Sequence, residues 1–168
     1  MKEITFIIAM LFSLNLVHAL TITELNYNPE GEDNNKEYIE LYSEVPLTLS
    51  NHTVEDSASS DTLVLLKSYD SNYYLIVEDG FDYSQINANI YSAGSAIGNN
   101  LNNDQDTVKI KGVDGSILDS FNYNSAMGAN GNNKSLCKFP NENDNWQECY
   151  QTPGSLNFIE VINQQNNQ

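Results

Sequence analysis

Arginine is absent from this sequence, and its seven cations are all lysines, set against 23 acidic residues for a formal charge of -16. Without the planar guanidinium fork a chain lacks the preferred bidentate grip on phosphate and guanine. With so few cations it cannot neutralise a run of phosphates either, and nucleic acid is excluded as an ordinary partner. Histidine is scarce too: His18 lies in the leading apolar segment, which leaves His52 as the one imidazole of the remaining chain. No Gly-x-Ser-x-Gly nucleophile signature accompanies it, so a hydrolytic triad has no footing. Cysteine is limited to Cys137 and Cys149, too few for a dense disulfide framework or a zinc set. Past the first twenty residues no apolar run approaches the roughly 20 residues of a membrane span. Nor does any window of about 11 residues carry apolar side chains at helical spacing.

The 168 residues amount to one domain, large enough to bury roughly two thirds of its unfolded surface and to rest on its own core. Residues 1–19 read as a secretory signal peptide. Lys2 supplies its positive start, Ile4 to Val17 its apolar stretch, and Val17-His18-Ala19 the approach to a cleavage point before Leu20. Thr5, Ser13 and Asn15 interrupt the stretch, which argues against an uncleaved anchor. No cysteine follows to take a lipid, and Phe158 to Ile162 is too short to span a bilayer. The product is expected to be secreted or held at the cell surface by a partner, and not membrane-spanning after processing. In an oxidising compartment an even cysteine count favours pairing, so Cys137 and Cys149 are expected to form a disulfide. Metal binding is the competing role for them. Asn51-His52-Thr53 and Asn133-Lys134-Ser135 make Asn51 and Asn133 possible glycosylation sites, depending on the source organism.

Short runs bounded by Gly, Asn, Asp or Pro predict an all-β chain. Strands are expected at Thr21 to Tyr27, Glu37 to Tyr42, Leu47 to Val54, Thr62 to Leu66, Tyr73 to Glu78, Thr107 to Lys111, Ser116 to Tyr123 and Ser135 to Phe139. Val108 and Ile110 alternate with Thr107, Lys109 and Lys111, as a half-exposed strand requires. Gly112-Val113-Asp114-Gly115 then predicts a hairpin, its Asp-Gly pair supplying positive φ. Leu63 to Leu66 and Tyr73 to Val77 are nearly continuous apolar runs, which predicts strands buried in mid-sandwich. Tyr83, Ile86 and Ile90 fit either one helical turn or a loop. Strands every ten or so residues suggest two packed antiparallel sheets.

Several segments carry a resemblance. Ile22-Thr23-Glu24-Leu25-Asn26-Tyr27-Asn28-Pro29, then Glu37-Tyr38-Ile39-Glu40-Leu41-Tyr42 after an acidic loop, then Asp106-Thr107-Val108, Val113-Asp114-Gly115 with Leu118-Asp119-Ser120, Trp146, and Thr152-Pro153-Gly154 with Asn157 occur in this order. In this the chain resembles the lamin tail domain over the whole mature sequence, to about Asn157. The resemblance implies an immunoglobulin-like antiparallel β-sandwich over residues 20–157, followed by a tail at 158–168. Such domains end the nuclear lamins and also occur as modules of exported bacterial and archaeal proteins, often beside hydrolase domains. It implies no catalytic residues, and it makes Glu40 structural, its carboxylate accepting hydrogen bonds at a sheet edge. The lamin link to DNA through basic surface does not carry over to so acidic a chain.

Glu37 and Glu40, three apart on one strand, should point to opposite faces and cannot flank one bond, so no enzyme is expected. Trp146, inside the loop that Cys137 and Cys149 would close, is expected to cover one end of the sandwich, with a sugar platform as the sharper reading. The acids Glu30, Glu32 and Asp33 and the stretch Asn102 to Asp106 offer hard oxygens, so binding is expected on the loops Pro29 to Lys36 and Asn99 to Asp106. Asp104 and Asp106 are a weak calcium candidate, lacking the glycine and distal glutamate of an EF-hand. No other cofactor is expected. Tyr38, Tyr42, Tyr73 and Tyr74 mark a possible recognition face, most of it core. The function expected is non-catalytic: binding or surface assembly with a protein or cell-envelope component. The alternative is an accessory module acting in trans with an exported nuclease or phosphatase.

Overall fold

The computed structural model describes residues 20–139 and 145–158; the signal expected at 1–19 and most of the 158–168 tail lie outside them. Among the described residues eleven strands form: β1 (Thr21–Asn26), β2 (Tyr38–Tyr42), β3 (Thr53–Glu55), β4 (Ser60–Thr62), β5 (Val64–Lys67), β6 (Tyr73–Val77), β7 (Asn89–Ser92), β8 (Gln105–Lys111), β9 (Ile117–Asn124), β10 (Lys134–Phe139) and β11 (Asn145–Tyr150). They make an all-β sandwich of two sheets, ordered β11-β10-β1-β2-β6-β7-β5 and β4-β3-β8-β9. The expected hairpin joins β8 to β9, with Gly112 N–H donating to Ser116 O at 2.8 Å. Of its Asp-Gly pair only the glycine takes positive φ, 81° at Gly115.

Period two along each strand separates a core face from an outer face. Ile22, Leu25, Ile39, Leu41, Tyr74 and Ile76 of the large sheet meet Val54, Val108, Ile110, Phe121 and Tyr123 of the small one. On the outer face of the large sheet Tyr38, Leu75, Val77 and Ile90 form a second apolar layer with Phe81, Tyr83, Ile86 and Ala88. That layer exists because β6 and β7 pair in parallel, a departure from the antiparallel expectation. Parallel neighbours cannot be joined by a hairpin. The connection 78–88 therefore crosses over the sheet and covers it. Ile86 N–H donates to Tyr83 O at 3.1 Å, making one turn, while Ile90 belongs to β7.

Four expectations are corrected. Val64, Leu65 and Leu66, read as buried, are 59%, 43% and 41% exposed, because β5 is the outermost strand of its sheet. The strand expected from Leu47 shrinks to Thr53–Glu55, since Asn51 takes a φ of 64° and the chain turns, His52 N–H donating to Leu49 O. Glu40 is structural but not at an edge: β2 lies between β1 and β6. Trp146 stacks on Phe121 with ring centroids 3.6 Å apart, joining β11 and β9, edge strands of different sheets. It closes the side of the sandwich, not its end. On the opposite side the chain itself crosses from β4 to β5 through buried Leu63.

Candidate functional site

Two groups of buried acids organise the molecule, one at an end of the sandwich and one on the outer face of the large sheet. Tyr38 of β2 and Val77 of β6 are paired, so the adjoining Glu37 and Glu78 leave the sheet at the same end. Ile39 and Ile76 face the core, and period two turns Glu37 and Glu78 inward as well. From the small sheet Asp106 arrives on the same side as Val108 and Ile110, paired with Tyr123 of β9. The loops 30–36 and 99–105 close this end. Leu101 N–H donates to Glu37 Oε2 at 3.2 Å, and Lys36 N–H to Glu78 Oε2 at 3.0 Å. Asp106 accepts from Ser57 N–H at 2.9 Å, Thr107 N–H at 2.7 Å and Asn102 N–H at 3.3 Å. Asn103 Nδ2 donates to Asp33 Oδ2 at 3.1 Å, tying the two loops together.

The electrostatics at this end are lopsided. Burial pushes the Glu37 carboxyl up to about 8 against the pull of the Leu101 amide, and the Glu78, Asp33 and Asp106 charges push the same way. Burial also raises Glu78, while the backbone amides of Glu37, Lys36 and Asn35 oppose it. Asp106 is buried as well, but its donors together outweigh that and hold it below the ordinary aspartate value. Tyr123, whose hydroxyl donates to Asn102 O at 2.9 Å, is driven upward by burial and by the Asp106 and Glu37 charges. The ion pairs of Lys109 and Lys111 with Glu55, and of Lys134 with Glu148, lie elsewhere. The Lys36 ammonium reaches Glu30 O at 3.1 Å. Among the described residues three buried side-chain oxygens accept nothing: Asn26 Oδ1, Asp33 Oδ1 and Glu37 Oε1. A cleft of about 360 Å³ opens here between Asp33, Ser57 and the loop from Asn99 to Asp106.

Of the acids named from the sequence, Glu30 and Glu32 are exposed on their loop, and Asp33 is half-buried where it meets the 99–105 loop. Asp104 is exposed ahead of β8, whereas Asp106 is buried within it. The two loops do approach each other. Glu37 and Glu78 were legible as site residues only through the alternation that continues inward from Ile39 and Ile76. Asn51 and Asn133 are exposed in turns with positive φ. Of the four tyrosines, Tyr38 and Tyr74 are buried; Tyr42 and Tyr73 contact each other at 5.3 Å and line a groove of about 460 Å³.

On the outer face Glu24 and Glu40 stand directly opposite each other on β1 and β2. Thr152 N–H and its hydroxyl reach Glu24, the hydroxyl at 2.8 Å from Oε2, and the Tyr38 hydroxyl donates to Glu24 Oε1. Glu40 accepts from the Thr23 hydroxyl and from Gly154 N–H, both at 2.7 Å. Asn157 Nδ2 donates to Thr23 O at 2.7 Å. The Thr152-Pro153-Gly154 segment is thereby strapped across β1 and β2. Burial and the Glu24 charge push Glu40 up to about 8, and burial raises Glu24 despite its donors. The Cys137 and Cys149 sulfurs lie beside Glu24, the three donors within 4.8 Å. The cysteines form the expected disulfide, with Cα atoms 5.9 Å apart, so no thiolate is left to bind metal there. No protein-family model, curated protein or solved structure matches this chain. No helix among the described residues is long and apolar enough to cross a membrane.

Proposed function

We propose that the mature chain is an exported, non-catalytic module of the lamin-tail kind that binds a protein or cell-envelope component. The observation that carries this reading is β5. Val64, Leu65 and Leu66 are exposed on the last strand of the seven-stranded sheet. A strand edge with exposed aliphatic side chains is a template for strand addition by another chain, and on β5 the Val64 to Leu66 stretch precedes Lys67, which with the register shift after Leu65 blunts the rest of it. The buried disulfide suits an oxidising compartment. The resemblance gains physical sense from the strap, because Thr23, Glu24, Glu40, Thr152, Gly154 and Asn157, all drawn from its segments, form one hydrogen-bonded group. The paired carboxylates of Glu24 and Glu40 serve as acceptors for that strap, which favours a structural role over acid-base chemistry.

The test is Leu65→Lys, compared with the parent for retention on the producing cells and for sedimentation. Retention should fall while thermal stability changes by no more than about 0.5 kcal/mol, the usual range for an exposed site. Retention equal to the parent's would overturn the reading, as would phosphate-ester turnover by the purified protein that Glu40→Gln abolishes.

A further inference from the structure

We propose that the closed end of the sandwich is a calcium site, with Asp33 Oδ1 and Glu37 Oε1 as its two protein carboxylate ligands. The inference is independent of the strand-edge reading of function, since it concerns a different part of the molecule.

Glu37 is 1% exposed, and its Oε1 accepts no hydrogen bond although Oε2 is held by Leu101 N–H. A buried polar atom without a partner is costly, and native structures rarely leave one. Asp33 repeats the pattern on the facing loop: Asn103 satisfies Oδ2, and Oδ1 is buried without a partner. Both acids belong to a group with Glu78 and Asp106 whose charges act on Glu37. Asp106 accepts backbone amides on both oxygens and Glu78 accepts two on Oε2, so their charges add negative potential at this end beside the orphan oxygens. A cation bound between Asp33 and Glu37 would partner both orphan oxygens and relieve the repulsion among the four acids.

The donor set selects the ion. Both carboxylates are hard oxygen donors, which excludes soft metals, and Asn99 to Asn103 with Gln105 line the cleft beside Asp33. Among the described residues no three acidic, histidine or cysteine donors at this end lie within 4.8 Å of one another. The remaining positions therefore fall to carbonyls, side-chain amides and water. Calcium accepts six to eight oxygens in irregular arrangement and tolerates this mixture, whereas magnesium demands a near-ideal octahedron. Two carboxylates on a surface loop and a strand end suit the weak class of extracellular sites, with dissociation constants of about 0.1 to 1 mM.

The test uses the secreted full-length product stripped with chelator, then titrated with CaCl2 or MgCl2 and followed by calorimetry and melting temperature. Calcium at about 10 mM should raise the melting temperature by a few degrees, as ligation well above the dissociation constant requires, and magnesium should not. Asp33→Asn, on a half-buried loop position, should weaken calcium at least about tenfold with the fold intact. Glu37→Gln should do the same while leaving the calcium-free protein as stable as the parent or more so. Asp104→Asn should change nothing. The proposal is overturned if calcium gives neither heat nor a melting shift, if magnesium matches it, or if Asp33→Asn binds calcium as tightly as the parent.

Discussion

At position 154 only glycine meets the local geometry. Thr152 to Ser155 form a turn, Ser155 N–H donating to Thr152 O at 3.0 Å, with Pro153 and Gly154 in its centre and Gly154 at a φ of 84°. That is the type II arrangement, where proline presets the first central residue and glycine tolerates the second. The Gly154 amide is aimed at Glu40 Oε2, and a Cβ there would sit 2.8 Å from Ile86 Cγ2 and 3.1 Å from Ala88 Cβ. Gly154→Ala should therefore cost about 2–4 kcal/mol, from the backbone penalty together with overpacking, read by chemical denaturation. A cost below about 1 kcal/mol would mean that the strap adds little to the fold. The turn was legible in the sequence because Thr-Pro-Gly announces itself. Its target was not, since Glu40 lies 114 positions away and no local pattern connects them.

Among the elements, the hairpin β8 to β9 was readable because alternation and turn chemistry sit side by side. β5 was misread for a physical reason: a run of Val and Leu has the same appearance in a central strand and at an edge, and only the sheet order decides. β11 escaped notice because Asn145, Gln147 and Glu148 dilute its apolar content, and its place is secured instead by pairing with β10 and by the disulfide. Binding was expected on the loops Pro29 to Lys36 and Asn99 to Asp106, which do meet, yet the inward Glu37 and Glu78 were not singled out with them, since strand ends carry no mark of which loops will close over them. The β10 and β11 pair also bounds what the disulfide does. Closing a 12-residue separation is worth about 3 kcal/mol in the chain-entropy view. The two strands share the rest of their register from Lys134 with Tyr150 to Phe139 with Asn145. Cys137→Ser should lower stability by about 3 kcal/mol in denaturant titration and leave a folded sandwich, because most of the main core comes from other strands, β10 and β11 adding Leu136 and Trp146 to it. Loss of the cooperative transition would show that the outer sheet depends on the cross-link.

The molecule as a whole binds protons when it folds, in spite of its surfeit of surface acids. Glu37 and Glu40, ordinarily at 4.5, are both pushed up to about 8, chiefly by burial, and Glu24 and Glu78 are raised for the same reason. Between pH 4.5 and 8 the folded state therefore holds protons that the unfolded chain has released, and stability falls as pH rises through that window. Glu55 and Glu148 act in the opposite sense. The hydrogen bonds of Lys109 and Lys111 bring Glu55 down to about 2, and those of Ala129, Lys134 and Asn132 do so for Glu148. Their contribution is complete above pH 4.5 and disappears as pH drops toward 2. The two effects meet near pH 4.5 to 5, which places the stability maximum on the acidic side of neutrality. Denaturant midpoints measured from pH 3 to pH 9 should rise to that maximum and then decline through neutrality. Glu40→Gln isolates one share of the decline. A neutral amide can accept from Gly154 N–H and donate to the Thr23 hydroxyl, so the variant should match the parent near pH 5 and exceed it at pH 8. A parent whose stability climbs steadily from pH 5 to pH 8 would contradict the burial of these glutamates.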